Sequence, residues 1–407
     1  MKKLNLLFMG LLVAGGMMFT SCTKEDNPAV VVNDVTVPDI PSDKEAGLNP
    51  AIDPDQINTV IPNFNYSVNQ EYGVSVIRLD MTGVRDPFTN DWVELYGTKH
   101  PKQNVWLSLD GQGKGFSITK VANDKKSAVD LVFLVDNSSS MNEEADAIAR
   151  DIIDWAKQLE KTVDVKFACV GYGGFVSGAC NFTTAEKMEA YLNKGNTGIW
   201  RTRDFADETE AKAQALREAA AGTDYRVVGT SYTYTNKYDP DYYECGVVAL
   251  RFANDKFSFR NGANRIYVNL TDEENQPNGK NDLYSTQWVK DNWTPTMGTI
   301  HTVWTESAYA INNYKNNVGY NYPWDLSIYT DGTVLCTNSN FKDINGNDVH
   351  LSDLPVSGAM LNSYIIRFTN VAEVFDGQPH LVKITVKSQS PNGEILAEKD
   401  YKLTFTK

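Results

Sequence analysis

The sequence predicts an α/β fold, in which a doubly wound, mostly parallel sheet is inserted in, or flanked by, an all-β sandwich. Three observations carry this reading. Short alternating strands occupy residues 57–127 and return at 363–407. Near-continuous apolar strands alternate with helical spacing across 128–362. The chain, 407 residues with 42% hydrophobic and 11% aromatic side chains, can build real cores and is long enough for about two or three domains.

The first 22 residues, MKKLNLLFMGLLVAGGMMFTSC, place Lys2 and Lys3 before an apolar run from Leu6 to Phe19 and small residues before Cys22. This is the layout of an export leader. The run is shorter than the roughly 20 residues that span a bilayer, and no other stretch is long enough. The segment resembles the lipobox of bacterial lipoproteins, with Phe19 standing where leucine is usual. That resemblance implies a leader over 1–21, lipidation of Cys22, and membrane contact through the lipid alone, as an outer-membrane lipoprotein. Lys24-Glu25-Asp26 resembles the tag that sends such lipoproteins to the cell surface; a plain charged tether facing the periplasm is the alternative. Residues 22–56, rich in Pro, Asp, Asn and Val without a sustained period, form a linker.

The formal net charge is −14, and −16 once Lys2 and Lys3 leave with the leader. Nucleic acid or an anionic lipid surface would be repelled as a main partner. With four histidines and five cysteines, little material remains for zinc clusters or haem. Cys169, Cys180, Cys245 and Cys336 allow three pairings in an oxidising compartment, and spacing selects none of them. Cys169 lies in an apolar strand, where a buried free thiol is equally expected.

In 57–127 the stretches VSVIRLDM (74–81), DWVELYG (91–97), NVWLSLDG (104–111) and GFSITKV (115–121) read as antiparallel strands broken by turn residues. The tail repeats the pattern at 364–371, 380–388 and 395–405, with a Pro-Asn-Gly turn at 391–393. Each end alone has too few strands for a two-sheet core, so the two ends are expected to share one sandwich. Two small separate β modules are the alternative.

Between them, AVDLVFLVD (128–136) has the near-unbroken apolar character of a strand covered on both faces. Helical spacing follows at Ala145, Ile148, Ile152, Ile153, Ala156 and Leu159, then a second buried strand at 163–172. Helices are expected near 185–193, 205–221, 242–255 and 351–362. Further strands are expected at 265–270, 298–305 and 333–335.

One cluster carries chemistry. Asp136-Asn137-Ser138-Ser139-Ser140 leaves the first buried strand, and its aspartate and alternate hydroxyls present three oxygens on one side. Open α/β sheets bind ligands at that strand edge. Mg²⁺ takes about six oxygen ligands, so neighbouring loops must add carboxylates. Asp272 ends the strand RIYVNL, and Glu244 sits at the start of the helix containing Ala249-Leu250. A loop with a helix N-cap is the plainer alternative for the serine run.

Residues 128–362 resemble a von Willebrand factor type A domain, a Rossmann-like doubly wound fold, with Asp136, Ser138 and Ser140 matching its DxSxS motif. The resemblance implies a metal-ion-dependent adhesion site holding one Mg²⁺ (or Mn²⁺ or Ca²⁺), with one position left for a partner's carboxylate. Asp272 matches the family's later aspartate, here in LTDEEN rather than TDG. Glu244, five residues before Ala249, resembles the glutamate of integrin β subunits, although Tyr243 replaces their proline; Thr230 is the alternative ligand. Glu143 and Glu144 align with the acidic pair that holds a second cation there, while acids in a helix's first turn are also favoured by the dipole. The flanking strands resemble the hybrid-domain arrangement of the same subunits.

Tyr225, Tyr232, Tyr234, Tyr238, Tyr242 and Tyr243 crowd the segment before Glu244. Two or three are expected to pack against helices and the rest to form a recognition rim. Enzyme signatures are missing: HExxH, GxSxG and a phosphate loop do not occur, and His100, His301, His350 and His380 lie away from the serines. The expected function is therefore non-catalytic binding of an extracellular or envelope protein or glycan that bears an acidic group. A structural subunit of a pilus tip or envelope complex is the alternative.

Overall fold

The structure is a computed structural model and describes residues 37–121, 128–194, 196–227, 243–305, 318–370 and 374–405. Five strands come first: β1 (Phe64–Glu71), β2 (Val74–Met81), β3 (Val105–Leu109), β4 (Gln112–Gly113) and β5 (Phe116–Lys120). The middle of the chain holds β6 (Ala128–Asp136), α1 (Ala145–Thr162), β7 (Asp164–Tyr172), β8 (Val176–Thr183), α2 (Ala185–Leu192), β9 (Phe205–Ala206), α3 (Glu210–Ala221) and α4 (Gly246–Lys256). It continues through β10 (Asn264–Thr271), α5 (Asn281–Tyr284), α6 (Thr286–Asn292), β11 (Thr299–Trp304), α7 (Pro323–Tyr329), β12 (Val334–Cys336) and α8 (Val356–Leu361). The chain closes with β13 (Tyr364–Asn370), β14 (His380–Ser390) and β15 (Gly393–Leu403).

The central sheet has the order β12-β11-β10-β6-β7-β8-β9. Strands β12 through β7 are parallel, and β8 turns back antiparallel to β7. The alternation written into β6 explains the two helical layers. Val129, Leu131, Phe133 and Val135 point to one face, against α1 and α2. Val132 and Leu134 point to the other, against α3 and α4. Side chains on successive strand residues face opposite ways, so a strand apolar at every position needs cover on both sides.

The other two sheets are β1-β2-β13-β5 and β15-β14-β3-β4, both antiparallel. Each mixes strands from the two ends of the chain. One apolar core unites them, with Ile77, Leu79, Leu107, Ile366, Phe368, Val382 and Ile384 all essentially inaccessible. The α/β part is thus an excursion between β5 and β13.

The structure departs from the sequence reading in several places. DWVELYG (91–97) is not a strand: only an isolated bridge joins Arg85 and Trp92. Its backbone is divided between scattered main-chain bonds, such as Val93 N–H to Val84 C=O at 2.9 Å, and side chains, since Asn104 accepts from Tyr96 N–H and donates to Glu94 C=O, both at 2.8 Å. The helix expected from 205 begins at Glu210, because Phe205–Ala206 pairs with β8. The helix expected from 242 begins at Gly246. Pro355 divides 351–362 into a 3₁₀ turn and α8. Strands β1, β4 and β8 and helices α5 to α7 have no counterpart in the sequence reading.

The sandwich meets the α/β part at the N-terminal edge of the parallel strands. Asn63 donates to the carbonyls of Gly298 and Thr330, each at 3.2 Å, and Lys399 pairs with Asp331. A cavity of about 300 Å³ lies along this seam, lined by Asn63, Trp92, Arg265, Asp331 and His301 among others. His301 Nδ1 accepts from Thr333 N–H at 3.0 Å, and burial pushes the imidazole down to about 4. An unfolded histidine titrates near 6.5, so between those values the unfolded chain holds the extra proton. Stability from this group is therefore complete above about pH 6.5 and falls as the pH drops toward 4, by up to about 3 kcal/mol. His301→Gln is expected to flatten this limb, read as the difference in urea midpoint between wild type and variant at pH 7 and pH 4.5.

Candidate metal centre

Asp136 ends β6 and Thr271 ends β10, two neighbouring parallel strands. From β6 the chain first builds toward β7 and β8 and later returns to the other side through β10. The carboxyl ends of β6 and β10 therefore flank the point where the winding reverses, the usual ligand crevice of such sheets.

The loop after β6 is tightly specified. Asp136 is 1% exposed, and one of its carboxylate oxygens accepts from Ser138 N–H at 2.9 Å. The other accepts from the Thr271 hydroxyl at 2.8 Å. Ser138 Oγ and Ser140 Oγ lie 2.8 Å apart, and Ser140 Oγ donates to Asp272 at 3.1 Å. Glu244, on the extended lead-in two residues before α4, is buried and bonds the Ser138 side chain. The structure thus joins Asp136, Ser138, Ser140, Asp272 and Glu244 in one run of oxygens drawn from three elements. Because Glu244 precedes α4 rather than opening its first turn, its position comes from contacts: its N–H and C=O both meet Gln276.

The electrostatics are those of crowded acids. Burial raises Asp136 above the ordinary carboxylate range, and the Asp272 charge adds to it, against the bonds from Ser138 and Thr271. Burial also raises Glu244, helped by the charges of Asp136, Glu273 and Asp272. A cation placed among them would reverse this penalty. Among the described residues no three His, Cys, Asp or Glu side chains gather closely enough to hold a metal by themselves. Any ion here would depend on the two serine hydroxyls, a hard oxygen set suited to Mg²⁺ rather than zinc.

Glu144 is buried beside this cluster and accepts from Thr305 Oγ1 at 3.1 Å, while Glu143 is exposed. Burial raises Glu144, with the Asp272 and Glu143 charges adding. The acidic pair is therefore split, one carboxylate turned inward and one to solvent. Tyr225 belongs to the core, edge-on to Phe252 with its hydroxyl on Asp255, and Tyr243 packs on the same cluster. Thr230, Tyr232, Tyr234, Tyr238, Tyr242 and Cys22 lie outside the described residues.

Sequence reasoning missed Thr271 and the support under the loop. Asn137 N–H donates to Tyr172 C=O at 2.8 Å, and its side chain donates to Ser177 and Thr202 at 2.8 and 3.0 Å. Arg203 donates to Asn137 C=O at 2.6 Å. A hydroxyl directly before Asp272 was the available signal for Thr271; nothing in spacing marks Thr202 or Arg203. Thr271→Val is expected to cost about 1–3 kcal/mol of metal-free stability, because it strips a buried carboxylate of its donor. Chemical denaturation in EDTA reads this directly.

The winding, the strand order and the oxygens at the sheet's carboxyl edge together define a von Willebrand factor type A-like α/β fold carrying two antiparallel sheets. By sequence, no family model and no curated protein matches the chain. Among solved structures it is similar to proximal thread matrix protein 1 from the mussel byssus, at 12% identity and TM-score 0.34 over 63% of this chain. That match spans 50% of the mussel protein. It is also similar to the conserved hypothetical protein BatB of Bacteroides thetaiotaomicron, at 12% identity and TM-score 0.28, covering 52% of this chain and 92% of that one. The adhesive tip pilin of Streptococcus agalactiae matches at 14% identity and TM-score 0.22, over 36% of this chain and 46% of its own.

Proposed function

We propose that this chain is a lipid-anchored envelope protein that captures an acidic group of a protein or glycan through one divalent cation, without catalysis. Asp136, Ser138, Ser140, Asp272 and Glu244 would hold the ion, and Mg²⁺, Mn²⁺ or Ca²⁺ would supply an electrophilic position for the partner's carboxylate. The observation that carries this reading is the joined run of buried carboxylates with the buried Ser138 and exposed Ser140 hydroxyls at the winding reversal. The two serines bond to each other and to acids, while the four histidines are engaged elsewhere: His100 with Lys102 N–H and the Tyr96 ring, His350 with Asp151, His380 with Asp110, and His301 at the opposite edge of the sheet. No helix among the described residues is long and apolar enough to cross a membrane; attachment in this reading is through a lipid on Cys22.

Calorimetric titration with Mn²⁺ tests the reading. Wild type is expected to bind one ion per chain, and Asp136→Ala to lose that heat while keeping its circular dichroism. Equal heats in the two proteins would remove the metal site. A structural role is favoured by one feature, the eleven-residue β15, which borders β14 alone within its sheet. Asn58 and Thr59 cover its outer edge at Glu394 and Leu396, and an edge strand templates pairing with another chain where it is not covered. Charge-reversing substitutions on β15 that abolish assembly, with Mn²⁺ binding intact, would support that second role.

A further inference from the structure

Cys169 in β7 and Cys180 in β8 are direct register partners across an antiparallel pair. Both side chains belong to the same apolar cluster, so they lie on one face of the sheet, at 0% and 4% exposure. Opposed residues in such a pair have Cβ atoms about 4.5–5.5 Å apart, and a disulfide needs about 3.5–4.5 Å. Both are free thiols in the structure. The ranges meet at about 4.5 Å, so the bond needs a small approach of the strands, next to the register irregularity between Phe167 and Cys169 where the ladder is already disrupted. The other two cysteines are placed elsewhere. Cys245 packs in the cluster on the opposite face, with its thiol on Asn275. Cys336 lies on β12, four strands from β7, roughly 19 Å at about 4.8 Å per strand.

We propose that Cys169 and Cys180 form a cross-strand disulfide when the chain folds in an oxidising compartment, stapling the β7–β8 hairpin. The proposal rests on the export reading above. Two thiols lose their hydrogens and one Sγ–Sγ bond forms. The two electrons and two protons pass to the disulfide of an envelope dithiol oxidant or of oxidised glutathione, which becomes two thiols. Because the folded thiols are buried, the exchange takes place before β8 docks and its helical cover closes. The staple sits beneath the candidate metal loop: Asn137 is held by Tyr172 at the end of β7 and by Ser177 on β8.

The full chain in detergent, refolded in oxidised and reduced glutathione, is unfolded without reductant, alkylated and mapped by mass. No lysine or arginine lies between Cys169 and Cys180, so trypsin releases both on the peptide Phe167–Lys187. That peptide is expected unalkylated and two hydrogens lighter, with Cys245 and Cys336 alkylated. Chymotrypsin, cutting after Tyr172 and Phe175, should leave halves joined until reductant is added, and Cys180→Ser should expose Cys169 to alkylation. Alkylation of both Cys169 and Cys180, or a bridge from either of them to Cys22, Cys245 or Cys336, would overturn the proposal. The same map is made on envelope fractions in which Cys22 is shown to be lipidated; thiols at 169 and 180 there also overturn it. A chain found in the cytoplasm with its leader still attached defeats the export reading instead, and the refolding map then decides the disulfide.

Discussion

Asp136→Asn is expected to make the metal-free protein more stable and, in the same stroke, deaf to Mg²⁺. The side chain is 1% exposed and placed by two hydrogen bonds that asparagine can keep: its carbonyl oxygen accepts from Ser138 N–H, and its amide donates to the Thr271 hydroxyl. What disappears is a buried negative charge beside Asp272 and Glu244. Each pKa unit of elevation is worth about 1.4 kcal/mol, so the gain is on the order of a few kcal/mol. Its pH dependence has a definite sign. A carboxyl raised in the folded state weakens folding only where it ionises, so the variant's advantage is full above the raised titration and fades as the pH falls toward 4. Mg²⁺ at a hundred times its dissociation constant should stabilise wild type by about 2.7 kcal/mol and the variant not at all. Urea unfolding at pH 8, with and without Mg²⁺, measures both effects. Equal responses to the ion would contradict the assignment of Asp136.

A chain stopped after Ser363 is expected to lose the whole sandwich while keeping the α/β part. Strand β13 sits between β2 and β5, and β14 sits between β15 and β3. Without them the first sheet is reduced to the β1–β2 hairpin and an isolated β5, and the second to β3 and the two residues of β4. Hairpins of that size are marginal in water. Ile77, Leu79 and Leu107 would lose Ile366, Phe368, Val382 and Ile384 as core neighbours. Hydrogen exchange followed by mass spectrometry should show β2 and β3 unprotected in the shortened chain, with β6, β7 and β10 still protected. Protected β2 and β3 would mean that the N-terminal strands form a module of their own.

The parts of this fold that were legible are those whose burial is periodic. The double-faced apolar run of β6, the α1 stripe and the alternating β2, β13 and β14 each announce their own cover. Strand β1, FNYSVNQE, does not: only Phe64 is buried, because it is a sheet edge with one wetted face. DWVELYG alternates well yet is no strand, since Asn104 and the Tyr364 hydroxyl take its backbone groups from a distance. At the candidate site, DxSxS and the acid at the end of β10 could be read because strand ends fix them. Thr202 and Arg203 reach Asn137 across more than sixty residues of chain, and no local pattern encodes such a contact. The facing of Cys169 and Cys180 is a matter of register between β7 and β8, which the intervening turn sets and the spacing of cysteines does not.

The central claim is that the oxygens at the carboxyl ends of β6 and β10 form a cation site. A crystal of the chain soaked in Mn²⁺, with anomalous diffraction collected near the manganese edge, tests it most directly. The account predicts one strong peak within coordination distance of Asp136, Ser138 and Ser140, with Glu244 rather than Thr230 completing the protein's share of the shell. No peak at that loop, with ordered Mn²⁺ elsewhere or nowhere, would contradict it.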